Sequence, residues 1–351
     1  MKGKYGYYLS YKRKMKVVLP VCNPYITTYP IFANPLSILQ NYPITKPWLL
    51  SSFLLPVNNK YKALSFYDFN YKECPFLLVE KWKKDNFVSD KDIIYFLKET
   101  VNRKAYPYFV VNTKEIDAYK REFYLKHDFF IYGYDDIKEI FYFSDNFKNG
   151  KYARGECTFK EVINSLKSLK KEDESYLGFN GCIELLSFIE KTELYEQSRT
   201  EISLNKIKDT LEAYCNGKNI SQWSTQEYRF HYGEVNIFYG IECYDFLREN
   251  IQESENNPIH LPSFYLIYDH KMHLFRVWQH LLNSGFLRKD DAAMFNDLNK
   301  LISISNMIIN LVLKVYFSND KKKVIVKILK YIDQLESLEK RVLPNLVDEI
   351  V

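Results

Sequence analysis

The feature that most restricts the fold is a change in hydrophobic period part-way along the chain. Before residue 170, five short runs rich in aromatic and β-branched residues (64–69, 76–79, 108–112, 129–134 and 140–144) alternate with helical segments. Runs of that length and composition suit a half-buried pleated surface and are too short for stable helices. Between them, Asp90 is placed to cap a helix carrying Ile93, Ile94, Phe96, Leu97 and Val101, and Thr158 with Glu161 forms a capping-box pattern ahead of Val162, Ile163, Leu166 and Leu169. Later the period lengthens to that of a helix: Leu204, Ile207, Leu211 and Tyr214, stopped by Asn216 and Gly217, then 237–251, 265–286, 295–316 and 324–342, punctuated by Pro262 and Pro344. The expected architecture is α+β, with residues 1–170 forming a mixed domain and 171–351 a mostly helical one. The charged stretch Lys170, Lys171, Glu172, Asp173 and Glu174 joins them.

Charge and composition exclude several function classes. Lys and Arg exceed Asp and Glu by only 5 over 351 residues, and the two signs are interspersed, so nucleic-acid binding is not implied. The aromatic fraction of 17% accompanies abundant Lys, Ile and Asn, a codon-composition bias, and is not by itself a binding signal. The one basic cluster, Lys2, Lys4, Lys12, Arg13, Lys14 and Lys16, precedes or surrounds Met15, a second candidate start, and lacks the apolar core of a signal peptide. The longest uncharged candidate span, 301–313, carries Ser303, Ser305, Asn306 and Asn310, so no membrane span is expected and the chain reads as cytoplasmic. The six cysteines, Cys22, Cys74, Cys157, Cys182, Cys215 and Cys243, show no zinc-type spacing and read as reduced thiols, with no metal expected.

The densest chemical signal is the segment His127, Asp128, Phe129, Phe130, Ile131, Tyr132, Gly133, Tyr134, Asp135, Asp136, followed by a strand ending in Ser144, Asp145 and Asn146. In a hairpin of that length His127 and Asp145 return to neighbouring positions on adjacent strands, with Gly133 suited to the turn. A carboxylate behind an imidazole fixes its tautomer and stabilises its charged form, as general-base work on a thiol or hydroxyl requires. The plain alternative is a histidine at a strand entrance followed by ordinary Asp–Asn turn chemistry.

The run from His127 to Asp136 with Asp145, continued by 158–166, resembles the histidine and aspartate half of the butirosin-type acyltransferase family, whose amino-terminal domain has a papain-like cysteine-peptidase fold. In the second half, 239–247 and the run Asp269, His270, Lys271, Met272, His273, Leu274, Phe275, Arg276 resemble the helical appendage of relatives found beside nonribosomal peptide assembly lines. The resemblance implies an ATP-independent amide synthetase of secondary-metabolite biosynthesis. Its substrate would arrive on the phosphopantetheine arm of an acyl or peptidyl carrier protein and pass to a small amine, with no cofactor of the enzyme's own.

The nucleophile departs from the family pattern. The clearest helix start, Asn34 and Pro35 leading into Leu36, Ser37, Ile38 and Leu39, puts the family cysteine near Pro30 or Ile31. Cys22 is the one thiol in that region, and Cys22, Asn23 and Pro24 are read as opening a short helix. Two readings stand: Cys22, His127 and Asp145 form a catalytic Cys–His–Asp set, or Cys22 is an inert thiol in a papain-like scaffold or binding protein of an assembly line.

Four further features need weighing. His270, His273 and His280 lie on one predicted helix, as a metal site would like, although without a carboxylate pair a polar helix face is the simpler account. Arg276 suits a pantetheine phosphate or an acidic carrier protein. The cluster 47–53 fits an acyl pocket or a core segment, and Lys321, Lys322 and Lys323 mark a solvated helix start rather than a binding patch.

Overall fold

In the computed structural model, described over residues 15–59, 63–190, 193–219, 237–255, 257–288 and 292–351, an antiparallel sheet region with helices is followed by a mostly helical part, an α+β chain. The basic residues Lys2, Lys4, Lys12, Arg13 and Lys14 lie outside the described residues. Two compact units divide the chain, one built from residues 1–21 and 78–188, the other from 22–77 and 189–351. The expected junction near 170 falls within the first unit.

The first unit is a seven-stranded sheet in the order β4 (Leu77–Lys83), β9 (Cys182–Phe188), β5 (Ala105–Asn112), β6 (Lys126–Asp135), β7 (Ile140–Lys148) and β8 (Lys151–Thr158), with β1 (Lys16–Val18) paired to β6. The central strands are buried on both faces: all eight residues of β5 are buried, and α3 (Asp90–Asn102) and α4 (Phe159–Lys167) both pack against it. That explains why β5 to β7 read as continuous apolar runs, whereas β8, with only Cys157 buried, carries no such signal. Thr158 and Glu161 form the expected capping box of α4. On α3 the cap is Ser89, reciprocated by Asp92, and Asp90 is the first helical residue rather than the cap, because the Ser89 hydroxyl accepts from the Asp92 amide.

Gly133 is not in the turn. It lies within β6 beside a register shift, where an added Cβ would stand 2.6 Å from the Val17 carbonyl oxygen, so it admits the backbone of β1. The turn is made by Asp135, whose Oδ1 accepts from the amides of Ile137 and Lys138 at 3.0 and 3.1 Å, and by Glu139 at φ 54°.

The second unit contains α1 (Pro30–Leu39), α2 (Lys46–Leu50), the hairpin β2 (Pro56–Asn59) and β3 (Ala63–Phe66), then α5 (Glu193–Cys215), α6 (Cys243–Gln252), α7 (Leu261–Asn283), α8 (Ala292–Val315) and α9 (Lys321–Glu349). Gly217 ends α5 at φ 61°, as expected of a C-terminal glycine. Pro262 sits in the first turn of α7, where its missing N–H costs nothing, and Pro344 lies inside α9, which continues to Glu349. The cluster 47–53 is core: Phe53 stacks on Phe69 at 4.1 Å and meets Phe32 and Phe66 edge-on.

Helix α8 packs between α7 and α9 and is longer than the 301–313 run suggests. By length and composition it suffices to cross a membrane, and 44% of that window is buried within the fold, as in a bundle core.

Candidate active site

The sheet positions His127 by two registers. Val111 pairs with His127 across β5 and β6, and Phe130 pairs with Ser144 across β6 and β7, which sets Asp145 diagonally across from His127 on one face. His127 Nδ1 stands 2.9 Å from Asp145 Oδ2, and the Asp145 side chain is wholly buried while that of His127 keeps 20% exposure. The eighteen-residue return expected from the sequence is therefore made, and the histidine is the member of the pair open to a reactant.

Further groups complete the arrangement. Asp145 Oδ2 accepts a short hydrogen bond from the Tyr119 hydroxyl, and Oδ1 accepts from the Asn146 amide at 2.5 Å. A carboxylate so held cannot rotate away from the imidazole. Asp128 approaches Nδ1 from the other side, its Oδ1 at 3.6 Å and its carbonyl oxygen at 3.1 Å, while its Oδ2 accepts from the Tyr108 hydroxyl. Phe143 packs against Phe129 at 4.8 Å and Phe147 at 5.0 Å and stacks with Tyr119, keeping Asp145 dry.

The electrostatic outcome is a charged imidazole. Burial alone would lower the His127 pKa, but the charge and hydrogen bond of Asp145, then the charge of Asp128, outweigh it and hold the group at about 10. Burial, with the charge of Asp145 adding to it, pushes the Asp128 carboxyl above its usual range, and burial beside Asp145 pushes the Tyr119 hydroxyl well up. At neutral pH the site thus presents an imidazolium whose Nδ1 side is occupied by acceptors.

Sequence reasoning assigned no role to Tyr108, Tyr119 or Asp128. Tyr119 ends an isolated turn, Asp117–Tyr119, and reaches Asp145 across 26 residues, a distance no local pattern encodes. Asp128 neighbours His127, and strict alternation along a strand would turn it to the opposite face.

Cys22 belongs to the other unit and opens no helix there: residues 21–24 have no regular structure. Its amide donates to the Ser37 carbonyl, and its half-buried Sγ lies 3.9 Å from the Leu36 carbonyl oxygen and 3.7 Å from Gln40 Oε1. These contacts put the thiol beside the carboxyl-terminal half of α1. That helix starts at Pro30 rather than at Asn34 and Pro35, which are buried within it, and its first turn, Pro30, Ile31, Phe32 and Ala33, carries no thiol. Cys157 and Cys243 are pushed up by burial, and burial raises Cys215 to about 12, so these three are inert thiols at neutral pH.

The histidines of α7 do not form a polar outer face. His270 and His273 are fully buried, and among the described residues no group of three potential ligands is placed to hold a metal. His270 Nε2 pairs with the Leu54 carbonyl at 3.0 Å, and burial lowers His273 to about 3. Arg276 lies 4.7 Å from the centre of the Tyr25 ring.

Neither the scan against models of known protein families nor the search of curated proteins gives a match to this chain.

Proposed function

We propose that the chain is an acyl-transfer enzyme of the papain-like, butirosin-type kind, forming an amide from a carrier-protein thioester and a small amine. The observation that carries this reading is the 2.9 Å contact between His127 Nδ1 and the buried Asp145 carboxylate. A histidine held protonated at neutral pH is no base toward water or a hydroxyl in its resting state; it is the charged partner a thiolate needs. In this reading a thiolate, for which Cys22 is the candidate from the sequence, attacks the thioester carbonyl. The carbon–sulfur bond to the pantetheine arm breaks, and the His127 proton goes to the departing pantetheine sulfur. The now neutral imidazole takes a proton from the attacking amine as the amide forms, and the enzyme thiolate leaves, restoring the imidazolium.

A second reading is favoured by one observation: Cys22 Sγ faces acceptors beside the carboxyl-terminal half of α1, not the positive end of a helix. In that case the fold is a binding component of an assembly line without a nucleophile. Incubating the protein with an acyl thioester of N-acetylcysteamine and reading its intact mass after acid quench separates the two. An adduct lost in Cys22→Ala, slowed in His127→Ala and discharged by an amine supports acyl transfer. No adduct, with retained binding to an acyl carrier protein, supports the binding component; neither adduct nor binding overturns both.

A further inference from the structure

The end of the α8–α9 hairpin joins two features that a helix pair has no internal reason to combine. The first ten residues of α9, 321–330, hold five lysines and no carboxylate. A helix amino terminus carries partial positive charge and favours Asp or Glu, so lysines there work against the stability of α9 itself. Its first turn contains no acidic residue, and the cap is left to Asp320, which accepts from the Lys323 amide at 3.0 Å. Farther along, the same helix turns acidic at Asp333, Glu336 and Glu339, where Arg248, Lys340 and Lys271 provide partners. Toward the other end Lys340 and Arg341 face carboxylates, Glu336 and Asp297, whereas residues 321–330 of α9 hold no carboxylate.

The second feature is exposed apolar surface at that same end. Phe317 in the turn is 87% exposed, Val326 66% and Tyr316 51%. Lys322, Val326 and Lys330 follow one another at intervals of four, on the side of α9 away from the buried stripe of Val324, Ile328 and Ile332. Tyr316 is fixed to the body of the unit, its hydroxyl donating to the Ile259 carbonyl at 3.2 Å, so the turn that carries Phe317 is anchored.

We propose that this end of the hairpin is a docking surface for an anionic phospholipid bilayer. Lysines suit headgroup phosphates and carboxylates as strongly hydrated point charges, and an aromatic ring on a protruding turn can enter the acyl boundary. Duplex nucleic acid is the poorer match, because the end has no arginine for bidentate phosphate or base contacts and places aliphatic and aromatic groups where phosphates would lie. The proposal is independent of the acyl-transfer reading, since it uses none of the residues of that site.

The test is co-sedimentation of the full chain with phosphatidylcholine vesicles, with and without about one-third phosphatidylserine, at low and physiological salt. The expected result is binding only to the anionic vesicles, weakening as salt rises. Each lysine near an anionic surface is worth roughly fivefold in affinity, so Lys321→Gln, Lys322→Gln and Lys323→Gln together should cost roughly a hundredfold. Replacing the same three by Arg should restore binding, and Phe317→Ser should weaken it about tenfold with the salt dependence unchanged. These positions are exposed, so the variants should keep the wild-type circular dichroism spectrum and melt no lower than the wild type. No binding, equal binding to neutral vesicles, or undiminished binding by the glutamine variant overturns the proposal. Retention on an acidic polypeptide or duplex DNA but not on vesicles also overturns it, and reassigns the surface.

Discussion

Replacing Asp145 by Asn tests the electrostatics of the site directly. The substitution keeps the side-chain shape and an oxygen for the Asn146 amide, puts an amide nitrogen in place of the oxygen that faces Tyr119 and His127, and removes the charge. At 2.9 Å and an effective dielectric constant near 20, a carboxylate favours an imidazolium by about 6 kcal/mol, or ~4 pK units. Burial opposes the imidazolium and the second carboxyl, Asp128, is itself driven toward its neutral form by burial, so little else holds the proton once Asp145 is neutral. The His127 pKa should fall from about 10 to roughly 6. The assay is carbon–proton correlation NMR of the imidazole C2–H groups between pH 4 and 11, with His127 assigned as the resonance missing in His127→Gln. The shift is readable among six histidines because burial lowers both His270 and His273, keeping them away from the window. A His127 pKa still near 10 in a folded Asp145→Asn variant would refute the reasoning and transfer the charge-holding role to Asp128.

Two other outcomes follow from the same physics. Since the folded pKa of His127 lies above its unfolded value of 6.5, its contribution to stability is whole below pH 6.5 and is lost as pH rises through about 10. The urea midpoint should therefore fall between pH 6.5 and 10 by the equivalent of on the order of 4 kcal/mol, and His127→Gln should remove most of that slope; an unchanged slope would count against a charged native imidazole. In the helical unit, Lys271 and Glu339 pair at 2.6 Å with both side chains wholly buried, and the Tyr214 and Tyr244 hydroxyls also donate to Glu339. Removing one partner strands a charge, so Lys271→Met should cost about 3–5 kcal/mol and the Lys271→Met, Glu339→Leu pair less than the sum of the singles, and a denaturant double-mutant cycle showing plain additivity would be inconsistent with that coupling.

Legibility of the fold tracked how each element meets its neighbours. Strands β5, β6 and β7 were readable because they are buried on both faces and so are continuously apolar; β8 and β1 lie where one side is open, and Lys151, Arg154 and Glu156 of β8 carry no apolar signal. The Thr158 cap was readable because a capping box is local, and Pro344 misled because a proline inside a long packed helix is outweighed by the burial of Val342, Leu343, Leu346 and Val347 around it. In the site, His127 and Asp145 were legible as two ends of one hairpin. Tyr119 was not, since only the packing of its turn against Phe143 brings its hydroxyl to Asp145.

The same contrast explains why α7 was misread. Asp269, His270, Lys271 and His273 give it the composition of a solvated helix, yet Asp269 accepts from the Thr27 and Thr28 amides and the Thr28 hydroxyl at 2.6–3.1 Å, and Lys271 meets Glu339 and His270. Each of these partners comes from a remote segment or the adjacent residue, so the cost of burying the charges is offset by contacts that helical periodicity cannot register. Burial pushes Asp269 up to about 6 even with those donors, which leaves it mostly ionised at neutral pH. Within α7, Asp269 thus holds the chain near Thr27 and Thr28 and Lys271 holds Glu339, which is why these ionisable residues are buried rather than solvated.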